Sequence, residues 1–183
     1  KGPIWEGRPE GMNKYKDAIA KATNPDKVKG ITFFQQEELY ACAQEQVDAL
    51  TEAGCDVIVC LGDTGFDYFG DERDDAVKVR ASLAGVTFLC IRGNHDRNPA
   101  ALSGYRLQPW HGGEAYVDEA YPRILFARDG SVFDLEGRPA IAIGGAYSVD
   151  KQHRLANGHL WFPDEQLTEG IRLLAQTYEE MTK

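Results

Sequence analysis

The chain has 183 residues, of which 43% are hydrophobic and 27% charged, a composition typical of a globular domain with an apolar core. The formal net charge of -9 argues against a surface that grips nucleic acid, because that mode of binding requires clustered Lys and Arg. No stretch approaches the roughly 20 apolar residues that cross a bilayer, and the first residues lack the apolar region of a signal peptide. We therefore expect a single cytoplasmic domain over residues 1–183, without a membrane partner.

The first half of the chain predicts alternating helices and strands. Apolar residues at helical spacing indicate helices over 12–22 and 34–53. An apolar run at 57–61, a helix at 72–83 and a second apolar run at 86–91 follow. Two apolar strands joined through a helix favour parallel pairing with both faces covered and a right-handed crossover.

Beyond residue 100 the pattern changes to short strands at 114–118, 123–127, 131–135 and 139–144. Asp129-Gly130 and Glu136-Gly137 are typical turn sequences, so these strands are expected to form antiparallel hairpins. A final helix is predicted to begin near Pro163, with Leu167, Ile171, Leu174 and Tyr178 on one face. The expected fold class is therefore α/β with mixed sheets.

The four cysteines are Cys42, Cys55, Cys60 and Cys90, and none of them has CxxC spacing. Most lie in or beside apolar segments, which favours reduced core residues in an intracellular protein over a disulfide framework.

Two glycine-flanked clusters follow the two apolar strands, Gly62-Asp63-Thr64-Gly65 and Gly93-Asn94-His95-Asp96. Ligands collect at the carboxyl ends of parallel strands, so both clusters are expected at one edge of one sheet. A structural interpretation stays open, since each sequence on its own is also found in turns with Asx-type hydrogen bonds.

The side chains of these clusters suit metal and phosphate chemistry. The two oxygens of Asp63 can bridge two cations roughly 3.5–4 Å apart, and Asn94 adds a neutral amide oxygen. His95 is assigned as general acid towards a substrate. Asp96 is expected to orient its ring, as a carboxylate often does for a working histidine.

Gly62-Asp63-Thr64-Gly65 together with Arg92-Gly93-Asn94-His95-Asp96 resembles the second and third signature blocks of the calcineurin-like metallophosphoesterases. The resemblance implies a sandwich of two mixed β-sheets flanked by helices in α-β-β-α layers. It implies two divalent metal ions, bridged by Asp63 with one bound by Asn94, and a His95 that assists the leaving group or phosphate. Mn, Fe, Zn, Ni and Co all share such ligands.

The later segment Gly144-Gly145-Ala146-Tyr147-Ser148-Val149-Asp150-Lys151, with Trp161-Phe162-Pro163 after it, is similar to bacterial and phage-like members of that family. Arg92 and Arg154 are the expected contacts to a substrate phosphate. For Arg154 the alternative is a solvated surface arginine near a turn.

Two further blocks of the family, Asp-x-His and Gly-His-x-His, do not occur in this sequence. The Gly158-His159-Leu160-Trp161 segment has Trp where the last ligand belongs, and His111 and His153 lie in poor ligand contexts. Either the chain is truncated at both ends, or Lys1 replaces the missing histidine in a degenerate site. In both cases Asp63 and Asn94 alone provide few ligands, so we expect weak or absent metal binding.

The expected function is metal-dependent hydrolysis of a phosphoric ester, in which a water activated by two metals attacks and His95 stabilises or protonates the leaving group. The alternative is a non-catalytic binding domain on the same scaffold. The phosphorylated substrate, mono- or diester, is not encoded in a readable motif.

Overall fold

The computed structural model describes residues 36–166 and 169–181. The helix predicted over 12–22 lies outside these residues. The chain divides into two compact units, Lys1–Ala53 and Gly54–Lys183.

The described part of the first unit is helix α1, Gln36–Glu52. It lies within the predicted span of 34–53, whose first two residues fall outside the described part. Cys42 on this helix is exposed, so the prediction that it belongs to a core is wrong.

The second unit begins with the predicted βαβ arrangement. Strand β1 is Val57–Cys60, helix α2 is Asp75–Ser82 and strand β2 is Thr87–Cys90. The two strands pair in parallel, with Val57 opposite Thr87 and Cys60 opposite Cys90. The predicted parallel pair is therefore confirmed, and the loops that follow both strands leave the same edge of the sheet.

Three more strands complete a mixed five-stranded sheet: β3 at Tyr105–Trp110, β4 at Gly113–Asp118 and β5 at Ile124–Ala127. The strand order is β1-β2-β5-β4-β3, with β5 parallel to β2 and antiparallel to β4. Strand β3 was not predicted. It contains Pro109, which a sheet tolerates at its edge because proline has no N–H to donate.

Strands β6 at Val132–Leu135 and β7 at Arg138–Ile141 form a separate two-stranded antiparallel sheet. The predicted turn at Glu136-Gly137 is confirmed, since both residues have positive φ, 54° and 76°, as a two-residue type I′ hairpin requires. The other predicted hairpin, through Asp129-Gly130, is wrong because β5 and β6 belong to different sheets.

Two helices follow, α3 at Lys151–Ala156 and α4 at Glu169–Met181. Helix α4 begins later than predicted, because Pro163 and Asp164 form a turn. Among the described helices, none is both long and apolar enough to cross a bilayer.

The core lies against the middle of the larger sheet. Strand β5 is buried along its whole length, and residues of β2, β4 and β5 share one cluster with Phe133 of β6 and with Ala142. Strand β1 is at the sheet edge, and Val59 is 41% exposed. The expectation that both strands of the βαβ unit are covered on both faces therefore holds for β2 and not for β1.

Candidate functional site

The loops after β1 and β2 meet through their glycines. A methyl group added to Gly62 would lie 3.0 Å from Cα of Gly93, and one added to Gly93 would lie 2.1 Å from Oδ1 of Asp63. Asp63 itself has a φ of 52°, in the left-handed region that Asp tolerates better than most residues. Glycine is required here because the two backbones touch, and this contact brings both motifs to one place.

Asp96 joins the two loops. Its carboxylate is fully buried and accepts hydrogen bonds from the backbone N–H groups of Gly93 at 2.8 Å, Gly65 at 3.3 Å and Thr64 at 3.4 Å. Burial raises the pKa of Asp96, and the backbone donors oppose that rise. The structure thus gives Asp96 a different place from the predicted one: its oxygens bind backbone amides of both loops instead of orienting the His95 ring.

His95 is connected to both sides of the site. Its backbone N–H donates to Oδ1 of Asp63 at 3.1 Å. Its ring Nε2 is buried without a hydrogen-bond partner, and the carboxylate of Asp150 lies 3.6 Å from it. The carboxylate beside the imidazole is therefore Asp150, which precedes α3, and not the neighbouring Asp96.

Asn94 belongs to a buried polar network. Its Nδ2 donates to Oγ of Ser148 at 2.8 Å, and that hydroxyl donates to the carboxylate of Glu165. Arg154 also contacts both, with Nη2 at 2.9 Å from Oγ of Ser148 and 2.5 Å from Oε2 of Glu165. All four residues are at least nine-tenths buried.

Arg154 is buried within this network. The residue is 4% exposed, so the alternative of a solvated surface arginine is wrong. Its Nη1 donates to the carbonyl of Leu160 at 2.9 Å. The guanidinium is used to join α3 to the segment that carries Glu165. The arginine therefore supports the loop that contacts Asn94.

Arg92 is likewise engaged inside the protein. It is 6% exposed, and it donates to the carbonyl of Asp164 at 2.9 Å and to Oδ2 of Asp129 at 3.0 Å. The same Asp129 accepts from the backbone of Gly144 at 2.7 Å through its other oxygen. The predicted phosphate contact of Arg92 would require this ion pair to open.

A second buried polar cluster close to the first loop was not found from the sequence. Asp67, 1% exposed, accepts from the Tyr105 hydroxyl at 2.5 Å and pairs with Nζ of Lys78 at 2.6 Å. Burial raises the pKa of Tyr105. The cluster ties α2 and the edge strand β3 to the loop after β1. The signal in the sequence for this cluster was Asp67, an acidic residue within the loop after β1.

The remaining histidines make ring contacts. His111 packs against Trp110, with ring centroids 4.0 Å apart, and His153 stacks on His159 with centroids 6.2 Å apart.

The described side chains at this place have the oxygen atoms that a divalent metal prefers, but there are too few of them to complete its coordination. Asp63 is exposed and offers carboxylate oxygens, and Asn94 can coordinate through its amide oxygen while its nitrogen stays on Ser148. Within residues 36–166 and 169–181, however, no group of three or more His, Cys, Asp or Glu side chains is placed to hold a metal ion. The described residues thus offer two side chains with oxygen donors at this place, Asp63 and Asn94.

Comparison of the chain with protein-family models, with curated proteins and with solved structures finds no match.

Proposed function

We propose that the second unit carries part of the active site of a metal-dependent phosphoesterase of the calcineurin-like type. The observation that carries this proposal is the contact between the loops after β1 and β2. It places the exposed carboxylate of Asp63 on the backbone of His95, directly beside Asn94. These are the residues, in the same order along the chain, that the two signature blocks contain.

The presence of two sheets around one core supports the proposal. A five-stranded mixed sheet and a second, smaller sheet contribute to one hydrophobic core. A sandwich of two mixed sheets with helices outside, in α-β-β-α layers, is the arrangement we propose for the complete domain.

Asp63 and Asn94 would hold the metal, together with ligands beyond those that the described residues provide. Two divalent cations such as Mn, Fe, Zn, Ni or Co, when bound, lower the pKa of a water molecule and polarise the phosphoryl oxygen. His95 would donate a proton from its ring to the leaving oxygen. Asp150, 3.6 Å from Nε2, would hold the ring in position for this step.

The test is hydrolysis of p-nitrophenyl phosphate and bis-p-nitrophenyl phosphate in the presence of Mn²⁺, by the chain as it stands and by the chain extended along its reading frame. We expect Asp63→Asn to lower the rate by roughly 100-fold or more, the upper range for weakened metal sites. Asp56→Asn is the matched control, because Asp56 is an exposed carboxylate at the opposite end of β1. No hydrolysis of either ester by either chain, or equal rates for the two variants, would refute the proposal.

A second candidate is a non-catalytic binding domain on the same scaffold. Large apolar side chains next to the site residues are exposed, namely Leu61 at 86%, Val149 at 81% and Tyr147 at 69%. Exposed apolar side chains of this kind mark contact surfaces when they are contiguous. A partner captured equally by the parent and the Asp63→Asn variant, with no hydrolysis, would favour this candidate.

A further inference from the structure

Two of the four cysteines face each other across the parallel strands that carry the candidate site. Cys60 is the last residue of β1 and Cys90 the last residue of β2, and the strand register places them directly opposite. Side chains at opposite positions of neighbouring strands point to the same face of a sheet. The side chains of Cys60 and Cys90 are therefore neighbours on one face of the sheet.

This placement satisfies the distance that a disulfide requires. Neighbouring strands lie about 4.8 Å apart, and the Cα atoms of disulfide-bonded cysteines lie about 4.4–6.8 Å apart. The pairing of the strands at this end is held by the backbone N–H of Ile91, which donates to the carbonyl of Cys60 at 2.8 Å. By the Cα–Cα criterion, the strands therefore need no separation or approach for the cysteines to bond.

The environments of the two sulfur atoms differ in a way that assigns the order of reaction. Cys60 is partly exposed and Cys90 is fully buried. The neighbouring Cys90 thiol lowers the pKa of Cys60, whereas burial raises the pKa of Cys90. Cys60 is therefore the thiol that an oxidant reaches and the one that ionises first. Cys90 is the second thiol, which resolves the mixed disulfide.

We propose that Cys60 and Cys90 form a reversible dithiol–disulfide site that reacts with low-molecular-weight disulfides. The Cys60 thiolate attacks one sulfur of the small disulfide, breaks its S–S bond and releases one thiolate, which leaves a mixed disulfide on Cys60. The Cys90 sulfur then attacks the Cys60 sulfur, gives up its proton and releases the second thiolate. In total two protein thiols are oxidised, and one small disulfide is reduced to two thiols that take up the two protons.

The product would lock the ends of β1 and β2 together, directly before the loops that hold Asp63 and Asn94. This consequence is independent of the proposed phosphoesterase activity, because it concerns the strands and not the metal. Cys55 and Cys42 serve as internal controls, since neither has a cysteine opposite it among the described strand pairs.

The test is incubation of the reduced chain with oxidised glutathione, followed by alkylation of the remaining thiols in denaturant and by peptide mapping. We expect two of the four thiols to disappear, one peptide pair linked through Cys60 and Cys90, full recovery with dithiothreitol, and a higher urea midpoint for the oxidised chain. Cys90→Ala, which lacks the second thiol, should instead accumulate glutathione on Cys60.

Four free thiols after treatment, or links confined to Cys42 and Cys55, would overturn the proposal. So would glutathione that stays on Cys60 of the unaltered chain without a cross-link. The mapping of the unaltered chain decides the matter even where the Cys90→Ala variant fails to fold.

Discussion

The buried pair of Arg154 and Glu165 offers the sharpest test of how this structure is held together. Its nitrogen–oxygen distance is 2.5 Å, with side-chain exposures of 5% and 1%. The exposed pair of Arg106 and Glu119 has the same distance of 2.5 Å, with exposures of 75% and 71%. The same substitution in both pairs, Glu165→Gln and Glu119→Gln, therefore changes burial while the chemistry and the distance stay fixed.

The expected cost differs because only one of the two variants leaves a charge buried. Glu165→Gln keeps the size of the side chain but removes the negative charge beside a buried guanidinium, and the nearest remaining carboxylate oxygen, on Asp150, lies 3.5 Å away. Removing one partner of a buried pair costs about 3–5 kcal/mol. An exposed pair contributes about 0–1 kcal/mol, because water replaces the lost partner.

The assay is urea unfolding followed by circular dichroism. With a slope of about 2 kcal/mol per molar urea, Glu165→Gln should lower the midpoint by about 1.5–2.5 M, and Glu119→Gln by about 0.5 M or less. Equal midpoints for the two variants would refute the reasoning, since burial would then not decide the contribution of the pair. A loss below about 1 kcal/mol for Glu165→Gln would show that the network around Ser148 relaxes around an arginine whose remaining carboxylate partner is Asp150.

Three further outcomes are expected. Gly93→Ala should destabilise the chain by about 1–3 kcal/mol in urea unfolding, because its methyl group would lie 2.3 Å from the backbone nitrogen of Asp63. Gly170→Ala is the control: the added methyl group meets open space in a helix and should stabilise the chain by about 0.5–1 kcal/mol. Equal effects of the two substitutions would contradict the contact between the loops. Burial raises the pKa of Asp74, so its contribution to the unfolding free energy is full below its unfolded pKa of about 3.9 and falls as the pH rises through the folded pKa. Urea unfolding at a series of pH values should therefore show the parent gaining stability relative to Asp74→Asn as the pH falls towards 4. If the unfolding free energies of the two proteins change in parallel with pH, the expectation is wrong. Dialysed chain should retain less than one equivalent of Mn²⁺ or Zn²⁺ by elemental analysis, since two donor residues do not hold such an ion firmly; stoichiometric metal would overturn that expectation.

Local signals in the sequence were sufficient for the part of the fold nearest the site. The apolar runs around Val57–Cys60 and Thr87–Cys90 predicted a parallel pair, and the structure has it. The two glycine-flanked clusters were expected at one edge of one sheet, and the contact between Gly62 and Gly93 brings them together there. These features are short in range, because a strand and the turn after it are specified by neighbouring residues.

The side chains that surround the site were harder to predict because their partners are distant along the chain. Asn94 and Ser148 are 54 positions apart. No pattern in the residues around Arg154 predicts that its side chain is buried against Glu165. Lys78 is a charged residue of α2, and its burial against Asp67 depends on how that helix packs on the loop after β1. Strand β3 was missed because Pro109 is compatible with a strand only at a sheet edge, and the position of an edge is a property of the whole sheet.

The sequence by itself determined the βαβ unit, the tight hairpin at Glu136-Gly137 and the three residues Asp63, Asn94 and His95 as one group. Periodicity and glycine conformation act over a few residues, so they can be read directly. Only the tertiary structure decided that Asp150 lies beside the His95 ring, that Asp96 holds the two loops together, and that Cys60 faces Cys90. Those contacts depend on strand register and on the packing of distant segments, which no local pattern contains.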